Sequence, residues 1–173
     1  MNAASYEFET PRLQLRKVDL SDGPFFLRLL NEPSWLQNIG DRGIRSIADA
    51  EAYIRTRILA QYAAHGYGMY VIQRKPEAER IGLCGLVRRD FLPDPDLGFA
   101  LLPEWAGQGY ASEAARCVMS HAHSQWHIER LLAIANRDNS RSLAVLGRLG
   151  FAFERLYSTP EGAELELHAV TLG

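Results

Sequence analysis

The stretch Leu97-Gly98-Phe99-Ala100-Leu101-Leu102-Pro103-Glu104-Trp105-Ala106-Gly107-Gln108-Gly109-Tyr110-Ala111 constrains this chain more than any other. An apolar strand-like run ends, a turn with two glycines follows, and a helical pattern begins. The first turn of a helix carries backbone N–H groups with no intrahelical acceptor, at the positive end of the helix dipole. Gly107 and Gly109 remove side chains that would hold a ligand off that backbone. Such a turn can cradle a pyrophosphate without a lysine. The same glycines also suit a plain strand-to-helix turn. There is no G-x-x-x-x-G-K-[ST] run and no G-x-G-x-x-G after the first strand, which argues against a P-loop nucleotidase and a Rossmann dinucleotide site.

Around this segment the pattern reads as a mixed α/β domain. Arg12–Arg16 alternates and predicts a strand. Ser21-Asp22-Gly23-Pro24 opens a helix with Phe25, Phe26, Leu29 and Leu30 on its apolar side. Residues 31–45 hold Pro, Gly, Asn and Asp and read as irregular loop. Ser46 starts a second helix, with Asp49 as a capping partner. Strands are expected at Tyr67–Arg74, Arg80–Arg88 and Leu97–Leu102. Gly107–Ser124 reads as a helix whose small face is Ala111, Ala114, Ala115, Val118 and Ala122, with Ser112, Glu113, Arg116 and Ser120 pointing elsewhere. Leu131–Ala135 is a short strand. Ser140–Leu149 is a helix closed by Gly150 as a left-handed cap. Phe151–Tyr157 and Glu164–Val170 suggest a closing hairpin. No repeat or linker divides the sequence, so residues 1–173 are expected to form one domain with a loose tail over about residues 1–8.

The chain has 173 residues, enough for a full core without staples, and a net charge of −2. A strong basic excess is missing, which argues against a nucleic-acid partner. Two cysteines, Cys84 and Cys117, favour a reducing compartment, here the cytoplasm. Neither a signal peptide nor a membrane-spanning run is visible.

The glycine turn resembles the pyrophosphate loop of the GNAT acetyltransferases, R/Q-x-x-G-x-G/A, with Gly109 and Ala111 in the last two fixed positions. The first position is Ala106 rather than Arg or Gln. Asn136-Arg137-Asp138-Asn139-Ser140-Arg141-Ser142 followed by Leu149-Gly150-Phe151 resembles the N-x-x-N-x-x-S…L-G-F pattern of that superfamily's ribosomal-protein N-terminal acetyltransferase branch (RimJ/RimL-type). Thr10-Pro11-Arg12-Leu13-Gln14-Leu15-Arg16 resembles the opening of the same branch. The resemblance implies an α/β GNAT fold. Its sheet would be seven-stranded and mostly antiparallel, with helices on both faces, splayed between strands 4 and 5 to admit acetyl-CoA. Phe99, Ala100 and Leu101 would pair with the pantetheine arm. Ala106, Gly107, Gln108, Gly109, Tyr110 and Ala111 would hold the pyrophosphate, and Asn136 and Asn139 would flank the arm.

The implied reaction is transfer of an acetyl group from acetyl-CoA to a primary amine by direct attack. The acceptor would be a protein N-terminus, an amino acid, a polyamine or a small-molecule amine. A non-catalytic acyl-CoA-binding or sensing module is the alternative. Ser142 lies at i with Val145, Leu146 and Leu149 at i+3, i+4 and i+7, on an inward face, and is the candidate donor to the leaving thiolate; a serine bonded to a carbonyl one turn back fits the same position. Asp96 opens the strand before the loop and is the candidate base, or a strand-end turn residue. Glu154 and Glu161, near the closing hairpin, are weaker choices. Trp35, Asp41 and Arg42 are expected at the acceptor wall, although an Asp–Arg pair within a turn also accounts for the last two. Among His121, His123 and His127, positions i and i+2 do not face each other on a helix and no Cys or carboxylate completes the set, so a solvated helix end is expected and no metal. Cys84 and Cys117 read as packing residues. Monomer and homodimer are both open.

Overall fold

The computed structural model describes residues 6–173. The expected tail therefore falls mainly outside the described residues. Phe8–Glu9 forms a short first strand, β1, paired with β2 (Leu13–Lys17), and Phe8 is buried. The remaining strands are β3 (Met69–Arg74), β4 (Glu79–Val87), β5 (Asp96–Leu101), β6 (Arg130–Ala135), β7 (Ala152–Ser158) and β8 (Glu164–Thr171). They form one sheet in the order β1-β2-β3-β4-β5-β6-β8-β7. The sheet thus has eight strands where seven were expected. Two residues of alternating burial were enough to add β1 to the edge. All neighbours are antiparallel except β5 and β6.

Helices cover both faces. Helix α1 (Gly23–Leu29), α2 (Pro33–Asn38), α3 (Ile47–Tyr53) and α4 (Ala60–His65) precede β3; α5 (Tyr110–Ser124) and α6 (Ser140–Arg148) flank β6. A π-helical turn, Ile54–Leu59, joins α3 to α4. Ser46 caps α3 by accepting the Asp49 N–H at 3.0 Å. Helix α2 falls within residues 31–45, whose composition predicts loop. Its Pro33 stands at the first turn, where a missing N–H costs nothing, and one buried tryptophan, Trp35, docks it. A six-residue helix is too short to show a 3.6-residue period.

One core layer packs α5 and α6 on Leu13, Leu15, Tyr70, Ile81, Leu86 and Leu97. Ala114, Ala115, Val118 and Ala122 give α5 the small face that lets it lie close to the strands. Ser112, expected to point away, is buried on that helix as well. The other layer packs Phe26, Leu29, Trp35, Ala50, Ile54 and Ile58 on Val71, Leu83 and Leu102.

The sheet opens between β5 and β6. The two strands are parallel, and one residue pair, Asp96 with Leu132, holds them. The Leu132 N–H adds a 3.0 Å bond to Pro95 O. Beyond that pair the strands diverge toward Leu101 and Ala135. The splay is the expected one between the fourth and fifth strands, displaced by one in number because β1 counts as a strand.

Candidate functional site

Strand β5 presents half of its backbone to the gap. The Leu102 N–H bonds back to Ile81 O at 2.8 Å. Antiparallel alternation along the β4–β5 register then turns Ala100 toward β4, and Phe99 and Leu101 toward the gap. Of the three residues expected at a pantetheine arm, two therefore aim their N–H and C=O groups at the gap. The third is engaged with β4.

The chain then passes through a 3-10 turn, Pro103–Trp105, to the glycine loop. Gly107 and Gly109 sit at φ +78° and +84°, a left-handed backbone that other residues adopt at a cost. That break is why α5 starts at Tyr110 rather than at Gly107. A Cβ built on Gly107 would meet nothing within 4 Å, so this glycine borders open space. A Cβ on Gly109 would lie 3.3 Å from Arg12 Nη2 instead. Glycine at 109 thus makes room for protein, whereas at 107 it leaves room for a ligand. The Ala106 N–H is satisfied by Pro103 O at 3.2 Å. Among the described residues, none of the N–H groups of Gly107, Gln108, Gly109, Tyr110, Ala111 and Ser112 donates to a protein acceptor outside the helix's own ladder. Consecutive N–H groups at a helix N-terminus form an anion cradle. The Gln108 side chain folds back to donate to Glu104 O at 3.2 Å. The Ser112 hydroxyl, buried in the first turn, has no hydrogen-bond partner. Sequence reading missed Ser112; its one signal was position, three residues past the loop glycine.

On the far side of the gap, Asn139 caps α6. Its Oδ1 accepts the Ser142 N–H at 3.2 Å, and its Nδ2 donates to Ser142 Oγ at 2.9 Å. Ser142 is half-buried and is not bonded to a carbonyl one turn back. With an acceptor site filled by Asn139, its hydroxyl proton is left to donate. Asn136 donates through Nδ2 to Asn38 O at 3.0 Å and Gln37 O at 3.4 Å. It ties the loop after β6 to the end of α2.

Asp96 lies at the apex of the splay and is 2% exposed. Burial pushes its carboxyl up to about 6, against the pull of Arg89, whose Nε donates to Oδ1 at 3.0 Å. A carboxyl that titrates near neutrality can give or take a proton. Glu154 is instead ion-paired with Arg130, and Glu161 is exposed at the hairpin tip.

The acceptor-wall residues are dispersed. Trp35 is buried in the α1–α3 core with its Nε1 unpartnered. Asp41 accepts the Gly43 N–H at 2.8 Å and pairs with Arg45, which holds its carboxyl below the usual range. The turn is therefore closed by Asp41 and Arg45, not by Asp41 and Arg42. Arg42 is exposed and has no ion pair among the described residues. A cavity of about 630 Å³ lies elsewhere, against Gln37, Asn38 and Asn136. Its charged wall is Asp138, Glu164 and Glu166, with Arg137 3.9 Å from Glu164. Glu166 Oε2 lies 2.9 Å from Nε2 of the buried His168. Strand alternation puts Glu164, Glu166 and His168 on one face, a pattern visible in the sequence, but nothing in it marked them as facing a cleft.

His121 packs edge-on against Phe8 and Trp126, and burial lowers its basicity. It is part of an aromatic cluster rather than of the solvated helix end expected. Among the described residues no three His, Cys, Asp or Glu side chains are grouped to hold a metal ion. Cys84 is buried, and burial pushes both thiols up.

A strand splayed from its parallel neighbour, followed by an open N–H cradle at a helix start, defines the acetyltransferase (GNAT) domain. That family matches residues 12–152, and the chain belongs to it and is an N-acetyltransferase. Among its relatives, the N-acetyltransferase YoaA of Bacillus subtilis (strain 168) is 28% identical over 149 residues, 84% of this chain and 82% of the relative. Among solved structures, the RimL ribosomal-protein α-N-acetyltransferase with coenzyme A superposes with a TM-score of 0.81 at 23% identity, covering 94% of this chain and 96% of that one. MccE, a microcin self-immunity acetyltransferase crystallised with acetyl-CoA and AMP, superposes with a TM-score of 0.79 at 15% identity, covering 94% and 93%.

Proposed function

We propose that this chain moves the acetyl group of acetyl-CoA to a primary amine by direct attack. The observation that carries the proposal is the run of acceptor-free N–H groups at 107–112, set at the end of a strand that faces an open gap. Acetyl-CoA supplies a thioester whose carbonyl carbon the amine nitrogen attacks while the C–S bond breaks. Residues 106–111, with Ser112, hold the pyrophosphate; the Phe99 and Leu101 backbones bind the arm, with Ala100 bracing β5 against β4. Asn136 and Asn139 bound the arm's far side, Asn139 by orienting Ser142. Asp96 accepts the proton the amine releases, directly or through one water. Ser142 donates a hydrogen bond to the leaving sulfur, which departs as thiolate and takes up its proton from solvent while Asp96 gives up the amine's proton there. A carboxyl near 6 is ionised at neutral pH yet close enough to it to exchange a proton.

The wall of Asp138, Glu164 and Glu166, offset by Arg137 alone, favours an acceptor that carries positive charge. A protein N-terminus or a polyamine meets that better than a free amino acid, whose carboxylate would face the same wall. Trp35 supports this cleft by docking α2, whose Gln37 and Asn38 line it, and Asp41 and Arg42 belong to the turn beyond α2. Within the proposal the chain works as one domain in the cytoplasm, as monomer or homodimer, in keeping with two unbridged cysteines.

The test is release of free thiol from acetyl-CoA across a panel of N-terminal peptides, polyamines and amino acids. Turnover with cationic acceptors is expected. Tight acetyl-CoA binding with no turnover on any amine would overturn catalysis in favour of a binding module.

A further inference from the structure

We propose that Arg12 is a positioning residue that sets the phosphate-binding loop from outside; this rests on reading residues 106–111 as the pyrophosphate cradle. Ala106 offers no side chain to shape that loop. Arg12 reaches it from the turn between β1 and β2, nearly a hundred residues earlier in the chain. That turn is itself well tied. The Thr10 N–H bonds to Leu13 O at 2.9 Å, the Leu13 N–H to Thr10 Oγ1 at 3.0 Å, and the Lys75 N–H to Arg12 O at 2.9 Å.

From this anchor the guanidinium makes three contacts. Nη1 donates to Gln108 O at 3.0 Å. Nε donates to Glu113 Oε2 at 2.8 Å, while the Arg12 backbone N–H approaches Glu113 Oε1 at 3.3 Å. The guanidinium carbon sits 4.3 Å over the Tyr110 ring. Two consequences follow. In a trans peptide the C=O and the next N–H point in opposite directions. Holding Gln108 O toward Arg12 therefore holds the Gly109 N–H away from it, among the acceptor-free N–H groups. Ser112, in the first turn of α5, has no intrahelical acceptor for its N–H, and its buried hydroxyl is unpartnered, so both stand beside that group. Glu113 is a carboxylate one turn from a site meant for an anion. Arg12 neutralises it and is in turn held by it.

The role separates from that of a simple surface cation by the sign of one substitution. If Glu113 acted only through its charge, Glu113→Gln would tighten binding of an anionic ligand. If it steadies Arg12, the same change weakens binding. Titration calorimetry with acetyl-CoA should show about tenfold weaker binding for Arg12→Gln and for Arg12→Lys, which keeps the charge but not the fork, and a smaller weakening for Glu113→Gln. Amide hydrogen exchange should quicken at Glu113 and the following turn of α5, whose N–H groups are bonded from Gly109 O onward, while the melting temperature stays near wild type. Gly107→Asp, placed in open space, should block binding by setting a carboxylate in the cradle. Wild-type affinity for Arg12→Lys, or tighter binding for Glu113→Gln, overturns the role of Arg12 while a blocked Gly107→Asp leaves the loop reading standing. Unchanged binding by Gly107→Asp overturns both. Should the Arg12 variants fail to fold, the sign for Glu113→Gln still decides.

Discussion

Asp96→Asn should make the protein more stable at neutral pH while slowing catalysis. The carboxyl is 2% exposed, and its titration point is raised by burial from 3.8 to about 6. In the unfolded chain it would ionise near the ordinary value. Between those pH values the folded state holds a proton that the unfolded state has lost. Stability from this group is therefore fully present below the unfolded value and is lost as pH rises through the folded one. The difference is about two pH units, which at 1.36 kcal/mol per unit is about 3 kcal/mol against the fold at pH 7.5. Arg89 keeps some access to water and loses its partner in the variant, so a gain of about 1–3 kcal/mol is the expected range. The assay is urea unfolding of wild type and variant from pH 4.5 to pH 8. Taking the difference at each pH cancels the other titrating groups. The variant's advantage should grow with pH, and kcat should fall about a hundredfold at pH 7 with the loss of the base. An advantage that shrinks with pH, or none at any pH, would refute the burial argument. A stabilised variant with wild-type kcat would instead refute the catalytic assignment.

Three further outcomes are expected. Ser142→Ala should lower kcat by about tenfold or more at constant KM for acetyl-CoA, with stability changed by less than about 1 kcal/mol because the Asn139 cap to the Ser142 N–H survives; steady-state kinetics with a slow-leaving donor checks this. Glu166→Gln should raise KM for cationic acceptors several-fold and leave acetyl-CoA binding alone, since it lines the cleft but not the loop. Asp22→Asn should destabilise the fold by about 3–5 kcal/mol in urea unfolding, because a fully buried carboxylate there serves both Arg16 nitrogens and Arg80. Burial pushes the Asp22 carboxyl up, yet Arg16, the Asp19 N–H and Arg80 together bring it below its usual range.

Much of the local geometry of the candidate site was legible because its signals are local. The strand, glycine turn and helix of residues 97–111 are one continuous segment, and the helix cap at Asn139 is set three residues from Ser142. Glycines at positive φ, alternation in β5 and the small face of α5 are written into neighbouring residues. Elements whose docking depends on few residues were not legible. Helix α2 is held by Trp35, and β1 by Phe8. The pairing inside the turn at 40–45 was not legible for a related reason: a loop's composition does not say which way it folds, and Asp41 turned to Arg45.

The order of strands and helices, the cradle and the serine helix follow from short-range pattern, where backbone geometry and hydrogen bonding act over a few residues. Pairings between distant segments do not. The Arg12 contact with residues 108 and 113, the Asn136 contact with α2, the Glu166 cleft and the burial that lifts Asp96 all join segments that the chain brings together by packing its two core layers. Sequence patterning encodes which faces are apolar. Burial and register, settled when those faces meet, decide which polar groups end up in reach of one another and which lose their water.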